Sequence, residues 1–258
     1  MTERRVLFLK SVDSTNAYAL ERFDSLEDGT LVVARTQTAG RGRRGRRWLS
    51  PEGGLYATYV AKTADLSPIL AQTAVALAVL DAILDAAPGR GWKLKWPNDV
   101  CLPENGTLLK VAGILSEARK PSGSNVPDGL AVGIGVNLNA TAAELAELGR
   151  PATSLAIETG SGFDPADFAE NLLERIARAM DAARQSPETT LREWRESDAL
   201  LGRRVVAEFE NGRVAAGTAL DIDHSGALIL ELDDGTVEKL FSCDVSIKPP
   251  ANETTAGG

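Results

Sequence analysis

Apolar and polar positions fall into short runs along the chain, and the period of those runs predicts the elements. Residues 5–10, 31–37 and 55–61 read as strands, rich in Val, Leu, Tyr and Phe and bounded by turn formers. Between the first two, Ser14-Thr15-Asn16 opens a short helix carrying Tyr18 and Leu20. Ser67-Pro68 places an N-cap residue before a first-turn proline. Ile69, Thr73, Leu77, Leu80 and Leu84 follow at helical spacing, a face expected to cover a sheet. Residues 92–96, 100–102, 108–117 and 130–137 are β-like runs separated by Pro, Asn and Gly. Asp164-Pro165 begins a second long helix, with Phe168, Leu172, Ile176 and Met180 every four residues.

After Trp194 the texture changes. Residues 202–209, 214–222, 227–232 and 236–241 are short strands joined by Asn211-Gly212, Ser225-Gly226 and Asp233-Asp234-Gly235, all tight-turn sequences. The pattern predicts a mixed α+β domain over 1–197, a small β-barrel over 198–248 and a disordered tail over 249–258.

Composition narrows the function. With 258 residues and 43% hydrophobic content the chain can bury a real core. A net charge of −8 argues against a general nucleic-acid binder, which needs a basic face to neutralise phosphates. Cys101 and Cys243 form no CxxC pair and His224 is the only histidine, which argues against zinc sites, Cys-His dyads and His-based serine triads. The N-terminal MTERRVLFLK is charged at both ends and has no cleavage pattern, unlike a signal peptide. The alanine-rich stretch 69–87 carries Gln72, Asp81 and Asp85, a poor membrane span. A cytoplasmic soluble protein is the expectation.

Chemistry concentrates first in Gly40-Arg41-Gly42-Arg43-Arg44-Gly45-Arg46-Arg47-Trp48. Its glycines let backbone amides turn toward an anion, and guanidinium groups match carboxylate and phosphate oxygens two at a time. Five arginines within seven residues repel one another, so the segment is expected to stay mobile until an anionic ligand neutralises it, and then to exclude water. The string also fits G-x-G-x-x-G, with Asp65 about twenty residues on, but that dinucleotide fingerprint opens a helix, whereas Pro51, Gly53 and Gly54 here precede a strand. No HRD or DFG follows, as a kinase would need, and no Gly-x-x-x-x-Gly-Lys-Ser/Thr string exists for a P-loop. An arginine-glycine RNA-binding segment normally comes as low-complexity repeats, and this one is single. A solvated basic loop without a ligand is the plain alternative.

A second group is Lys95-Trp96-Pro97-Asn98-Asp99. It reads as an ordinary inter-strand turn, or as a source of hard oxygen ligands for a nucleotide's Mg²⁺ from Asn98 and Asp99. Lys110 enters the apolar strand Lys-Val-Ala-Gly-Ile-Leu, either at a surface end or facing an anion. Gly133 and Gly135 alternate along another strand and leave one face bare, for a flat ligand or for close packing on a helix.

Taken in order, Asp13-Ser14-Thr15-Asn16, the 38–48 run, Lys95-Trp96-Pro97-Asn98-Asp99, Lys110-Val111-Ala112-Gly113-Ile114-Leu115 and Gly133-Ile134-Gly135-Val136-Asn137 resemble the biotin protein ligase family. The resemblance implies a mixed sheet flanked by helices, related to class II aminoacyl-tRNA synthetases, with an SH3-like C-terminal barrel. It implies that ATP converts biotin to biotinyl-5′-AMP, and that the biotinyl group passes to a lysine of a biotin carboxyl carrier protein or domain. By the family pattern Ser14, Thr15 and Gln37 would hydrogen-bond the ureido ring and neighbouring polar atoms. Gly40, Arg41, Arg43 and Lys110 would hold the carboxylate and later the acyl-adenylate, with Arg43 and Lys110 the catalytic pair. Gly113, Gly133 and Gly135 would line the ligand's path. Arg46, Trp48, Asn98 and Asn137 would contact ATP or the adenylate, and Asp99 would bind Mg²⁺.

Some family members carry an N-terminal winged-helix domain and repress transcription. The first motif lies so near residue 14 that the single-function form is expected, with no DNA and no membrane partner, as monomer or homodimer. Lipoate protein ligase, which shares the fold and the adenylate chemistry, is the runner-up. The polar Ser14, Thr15 and Gln37 set suits a ureido ring better than a dithiolane. A non-enzymatic RNA-binding module is the competitor from another class.

Overall fold

The computed structural model describes residues 5–62, 66–121, 123, 127–241 and 243–247. Asp65 and the tail expected over 249–258 lie outside the described residues. Seven strands make the larger sheet: β1 (Val6–Val12), β2 (Leu31–Gln37), β3 (Leu55–Ala61), β4 (Lys93–Lys95), β5 (Asp99–Glu104), β6 (Thr107–Arg119) and β7 (Gly129–Val136). Their spatial order is β1-β2-β3-β7-β6-β5-β4. β1 and β2 run parallel and every other neighbouring pair antiparallel, so the sheet is mixed as expected.

Register gives the two faces opposite characters. Along β7, Leu130, Val132, Ile134 and Val136 point into the main apolar core, with Ile114 of β6 opposite Ile134. That core is closed by α2 (Pro68–Ala86) and α5 (Pro165–Gln185). On the other face Gly133 pairs with Thr58 and Leu115, and Gly135 with Tyr56 and Gly113. The short helix α1 (Thr15–Glu21) and the turn after it cover only part of this second face, packing Ala19 and Phe23 on Val32, Val60 and Ala131. The functional groups occupy the remainder.

The two long helices differ in how far their spacing reveals the face they bury. Asp164 caps α5 by accepting from Ala166 and Asp167 amides, and Phe168, Leu172, Ile176 and Met180 are all buried, as their spacing predicts. In α2 Thr73 and Leu80 are buried and Leu77 packs against the core as their spacing predicts, but the buried surface is wider than that face and leaves out its last member. Leu84 is 41% exposed, while Val75, Val79 and Ile83 are fully buried. This helix is packed by the sheet on one side and α5 on another, so its apolar residues run almost all round and periodicity cannot single out a face. Its length and composition would suit a membrane span, but 56% of that window is buried inside the fold. Three further helices were not anticipated: α3 (Ala142–Ala146), α4 (Leu155–Thr159) and α6 (Pro187–Ser197). The first has a reciprocal capping box between Thr141 and Glu144, a signal the sequence did carry.

The C-terminal strands β8 (Arg204–Glu208), β9 (Val214–Ile222), β10 (Leu228–Leu232), β11 (Val237–Leu240) and β12 (Asp244–Ile247) form an antiparallel sheet in the order β11-β10-β9-β8-β12. Among the described residues no ladder joins β11 to β12, so the expected barrel is instead an open five-stranded sheet. The apolar core continues unbroken from the large sheet into this one. Polar pins reinforce the junction: Trp96 Nε1 donates to the Gly226 carbonyl at 2.9 Å, and Arg195 Nε to that of Ile222 at 2.7 Å. Asp198 accepts from the Trp96 and Leu200 amides at 2.9 and 2.7 Å and from the Trp194 indole at 3.2 Å. Burial still pushes its carboxyl up to about 6.

Candidate active site

The open face of β6 and β7 is the floor of a cavity. An added Cβ at Gly133 would lie 2.4 Å from Asn16 Oδ1, and one at Gly135 2.4 Å from the Trp48 ring. A Cβ at Gly113 would lie 3.0 Å from the Trp48 ring and 2.9 Å from Lys110 Nζ. The bare glycine row packs closely on the helix residue Asn16, as one of the two sequence readings has it, and elsewhere is covered by the ring of Trp48. Asn16, named in the motif but given no role, is 4% exposed and fully engaged. It donates to the Leu115 carbonyl and Glu117 Oε2 at 3.1 and 2.7 Å and accepts from Thr58 Oγ1 at 2.7 Å.

The polar end of the floor comes from the β1–α1 turn. Ser14 caps α1, and Ser14 and Thr15 are nearly fully buried. Gln37 Oε1 accepts from Thr15 N at 2.8 Å and Thr15 Oγ1 at 3.2 Å, while its Nε2 donates to Ser50 Oγ at 2.9 Å. Gln37 thus ties the α1 turn to the far end of the arginine loop.

That loop forms the roof. Gly42 N donates to Arg46 O at 2.7 Å and Trp48 N to Gly40 O at 2.9 Å, closing residues 40–48 on themselves. Gly40 is not among the residues that line the cavity between floor and roof. A Cβ there would meet Trp48 O at 2.6 Å, so it serves the loop's base instead. The expected repulsion among the arginines is relieved by acids from elsewhere in the fold. Arg41 pairs with Glu117 of β6 at 3.2 Å. Arg44 pairs with Glu210 at 3.1 Å and with Asp244 of β12 at 3.2 Å, and Arg46 also pairs with Asp244. Asp244 is held below its ordinary value despite partial burial, by Arg46 and then by Arg44 and Arg43. Arg43 reaches inward and donates to Asn98 Oδ1 at 3.1 Å, and burial lowers its affinity for a proton.

Asn98 in turn donates to the Ile114 carbonyl at 2.8 Å, which fixes the turn between β4 and β5. Lys110 Nζ lies 2.5 Å from Asp99 Oδ1 and 5.2 Å from the Trp48 ring centroid. Ser14, Thr15, Gln37, Arg41, Arg43, Arg46, Trp48, Asn98, Asp99, Lys110, Gly113, Gly133 and Gly135 thus line one cavity of about 90 Å³. Asn137 is absent from that lining. It lines a second cavity of about 390 Å³ on the other side of Trp48, with Leu145, Leu148 and Ala152. There Asn137 Nδ2 donates to the Thr153 carbonyl at 3.0 Å. Trp48, Gln37 and Lys110 border both spaces, and the Trp48 Nε1 proton is buried without an acceptor among the described residues.

Sequence reasoning missed Asn16, Arg150 and Asp244, all of which line the first cavity. Only Asn16 had a signal, its place in the first motif. Both cysteines are buried, with the thiol of Cys101 pushed up to about 12 and that of Cys243 to about 11, so neither is a ready nucleophile at neutral pH. No cluster of three His, Cys, Asp or Glu side chains suited to a metal occurs among the described residues.

Residues 8–137 match the Biotin/lipoate A/B protein ligase family, and residues 200–248 match the Biotin protein ligase C terminal domain. The chain is 40% identical over 230 residues to a biotin–[acetyl-CoA-carboxylase] ligase of Paracoccus denitrificans, an alignment covering 86% of this chain and 92% of the relative. It is 34% identical over 242 residues to the ligase of that name from Mycobacterium tuberculosis, covering 91% and 86%. A solved biotin protein ligase from Aquifex aeolicus in complex with biotin and ATP superimposes with a TM-score of 0.80 at 27% identity, covering 95% of this chain and all of that one. With both of its sheets matched and its motifs gathered round one cleft, this chain belongs to the biotin/lipoate protein ligase family.

Proposed function

We propose that this protein activates biotin with ATP to biotinyl-5′-AMP and transfers the biotinyl group to a lysine of a biotin carboxyl carrier protein or domain. The observation that carries this is a pair of adjoining cavities sharing Trp48, the first with a buried polar end and a cationic roof, the second a larger space of mixed lining in which Leu145, Leu148 and Ala152 stand beside charged side chains. Ser14 and Thr15 meet the ureido ring, with Gln37 holding Thr15 in place. The valeryl chain runs along Gly133, Gly135 and Gly113 toward Arg41, Arg43 and Lys110, which receive the carboxylate. Adenine enters the second cavity beside Trp48 and Asn137.

In the first step a biotin carboxylate oxygen bonds to the α-phosphorus, the bond from that phosphorus to the bridging oxygen breaks, and pyrophosphate leaves with the electron pair. Two anions approach, and Arg43 and Lys110 offset their repulsion and the charge growing on the phosphoryl oxygens. In the second step the acceptor lysine's amine attacks the acyl carbon and AMP leaves. No enzyme nucleophile is required, in keeping with the buried, weakly acidic thiols. The first cavity, about 90 Å³, is far smaller than the roughly 300–1,000 Å³ of small-molecule sites, so the Trp48 ring and the roof shift as biotin enters.

The residues fit a nucleotide-borne Mg²⁺ rather than a resident one. Of the two carboxylates lining the first cavity, Asp244 is shared by Arg44 and Arg46 while Asp99 has Lys110 alone, and the Asn98 oxygen already accepts from Arg43. Such an ion, held by Asp99 and phosphate oxygens, would neutralise phosphate charge. The test is pyrophosphate release with ATP and, separately, biotin, lipoate or octanoate. Release with biotin alone is expected. Release only with lipoate or octanoate would reassign the substrate, and no release together with salt-sensitive RNA binding would favour a binding module.

A further inference from the structure

Arg150 has no part in the motifs, yet it stands where three spaces meet. It borders the biotin cavity, the nucleotide cavity and a third groove of about 450 Å³ between the β5–β6 hairpin and β12. Lys110 is its companion at all three. The backbone sets that adjacency. Lys110 N donates to the Pro151 carbonyl at 3.2 Å, and Thr153 N donates to the Lys110 carbonyl at 2.9 Å, so residues 151–153 lie alongside Lys110 as a parallel bridge. Just beyond, Leu155 N bonds to Asn137 O at 3.0 Å, rooting the segment in the nucleotide cavity.

The electrostatics are uneven. Lys110 has Asp99, and Arg41, Arg44 and Arg46 have carboxylates of their own. Arg150 is half-buried and has no hydrogen bond or ion pair among the described residues. A partly desolvated guanidinium held beside a lysine, facing a cavity, is costly unless an anion arrives. With biotin in the first space and adenine in the second, the α-phosphate falls at their junction. On that placement the remaining two phosphates extend along the third opening, lined by the cations Arg46, Lys95, Lys110 and Arg150 and by the carboxylates of Asp99, Glu208 and Asp244, of which Asp99 is already paired with Lys110 and Asp244 with Arg44 and Arg46.

Resting on the ligase reading above, we propose that Arg150 is a catalytic residue that grips the β- and γ-phosphates of ATP and the departing pyrophosphate. Its guanidinium fork binds two phosphoryl oxygens and steadies the charge that builds on the leaving group. Because the pyrophosphate has gone before the acceptor lysine attacks, Arg150 acts in the first half-reaction and not in the second.

The test compares the full-length wild type with Arg150→Gln and Arg150→Lys in three measurements. These are biotin-dependent ATP–pyrophosphate exchange, equilibrium binding of labelled biotin, and transfer from supplied biotinyl-5′-AMP to the carrier domain of a biotin-dependent carboxylase. For Arg150→Gln the KM for ATP and for pyrophosphate should rise on the order of tenfold or more, the loss of charge-assisted hydrogen bonds. Biotin binding and transfer should be unchanged, which also establishes that the variant folds. Arg150→Lys should recover part of the loss, restoring charge without the fork. Unchanged KM values in Arg150→Gln, or an equal loss in transfer from supplied adenylate, would overturn the proposal. A wild type that shows no biotin-dependent exchange would overturn the ligase reading itself, and this inference with it.

Discussion

The floor and the roof of the cleft are built on opposite principles. The floor is neutral backbone: Gly113, Gly133 and Gly135 on two central strands, with Asn16 hydrogen-bonded on every side. The roof is a nine-residue hairpin of cations held in place by acids from two separate sheets, Glu117 on one and Asp244 on the other. A floor of paired strands discriminates by shape, because nothing in it can move far. A roof held by exposed ion pairs discriminates by charge and can reopen, because each such pair contributes little alone. Floor variants should therefore change which ligand fits and roof variants how long it stays.

The largest effect is expected where floor and roof meet. Lys110→Ala should slow biotin-dependent ATP–pyrophosphate exchange on the order of a hundredfold, since it removes the charge proposed to offset that of the reacting phosphate and leaves Asp99 without its partner. Wild-type exchange rates would refute the assignment. Next comes the floor. Gly135→Ala sets a methyl group within 2.4 Å of the Trp48 ring, and the displaced ring should raise the biotin KM about tenfold, at a stability cost of about 1–3 kcal/mol measurable by denaturant titration. A biotin KM unaltered in this variant would mean that Trp48 does not lie on that strand in solution. Smallest is the change at the roof's outer anchor. Asp244→Asn removes the charge that Arg44 and Arg46 share, and a few-fold rise in adenylate release is expected, about 1 kcal/mol, with the wild-type rate also becoming faster as salt is added. Release insensitive both to salt and to this substitution would separate the roof from the C-terminal sheet.

What the sequence disclosed follows the same division. The strands at 31–37, 55–61 and 214–222 could be read to the residue, because β-rich runs and the turn residues that bound them are local information. The cationic string and the alternate glycines are local as well, and the fold brings nearly all of them to one cavity. Asp244 could not be found this way. It meets Arg44 across two hundred positions, and an isolated Asp at the start of a short strand has no pattern. Arg150 acquires meaning only when the segment after it docks beside Lys110. The exposure of Leu84 in α2 has another cause, since a helix enclosed on several sides has no polar stripe from which to read direction. The barrel expectation counted strands correctly in texture but not closure, which depends on pairing between chain ends.

The central claim is that the cationic roof retains the activated intermediate. The direct test is the dissociation rate of preformed biotinyl-5′-AMP from the wild type and from Arg43→Ala, followed by chase with excess unlabelled biotin and ATP. Arg43 reaches in from the roof to Asn98, and its loss should speed release on the order of tenfold or more. Identical release rates for the two proteins would contradict the account.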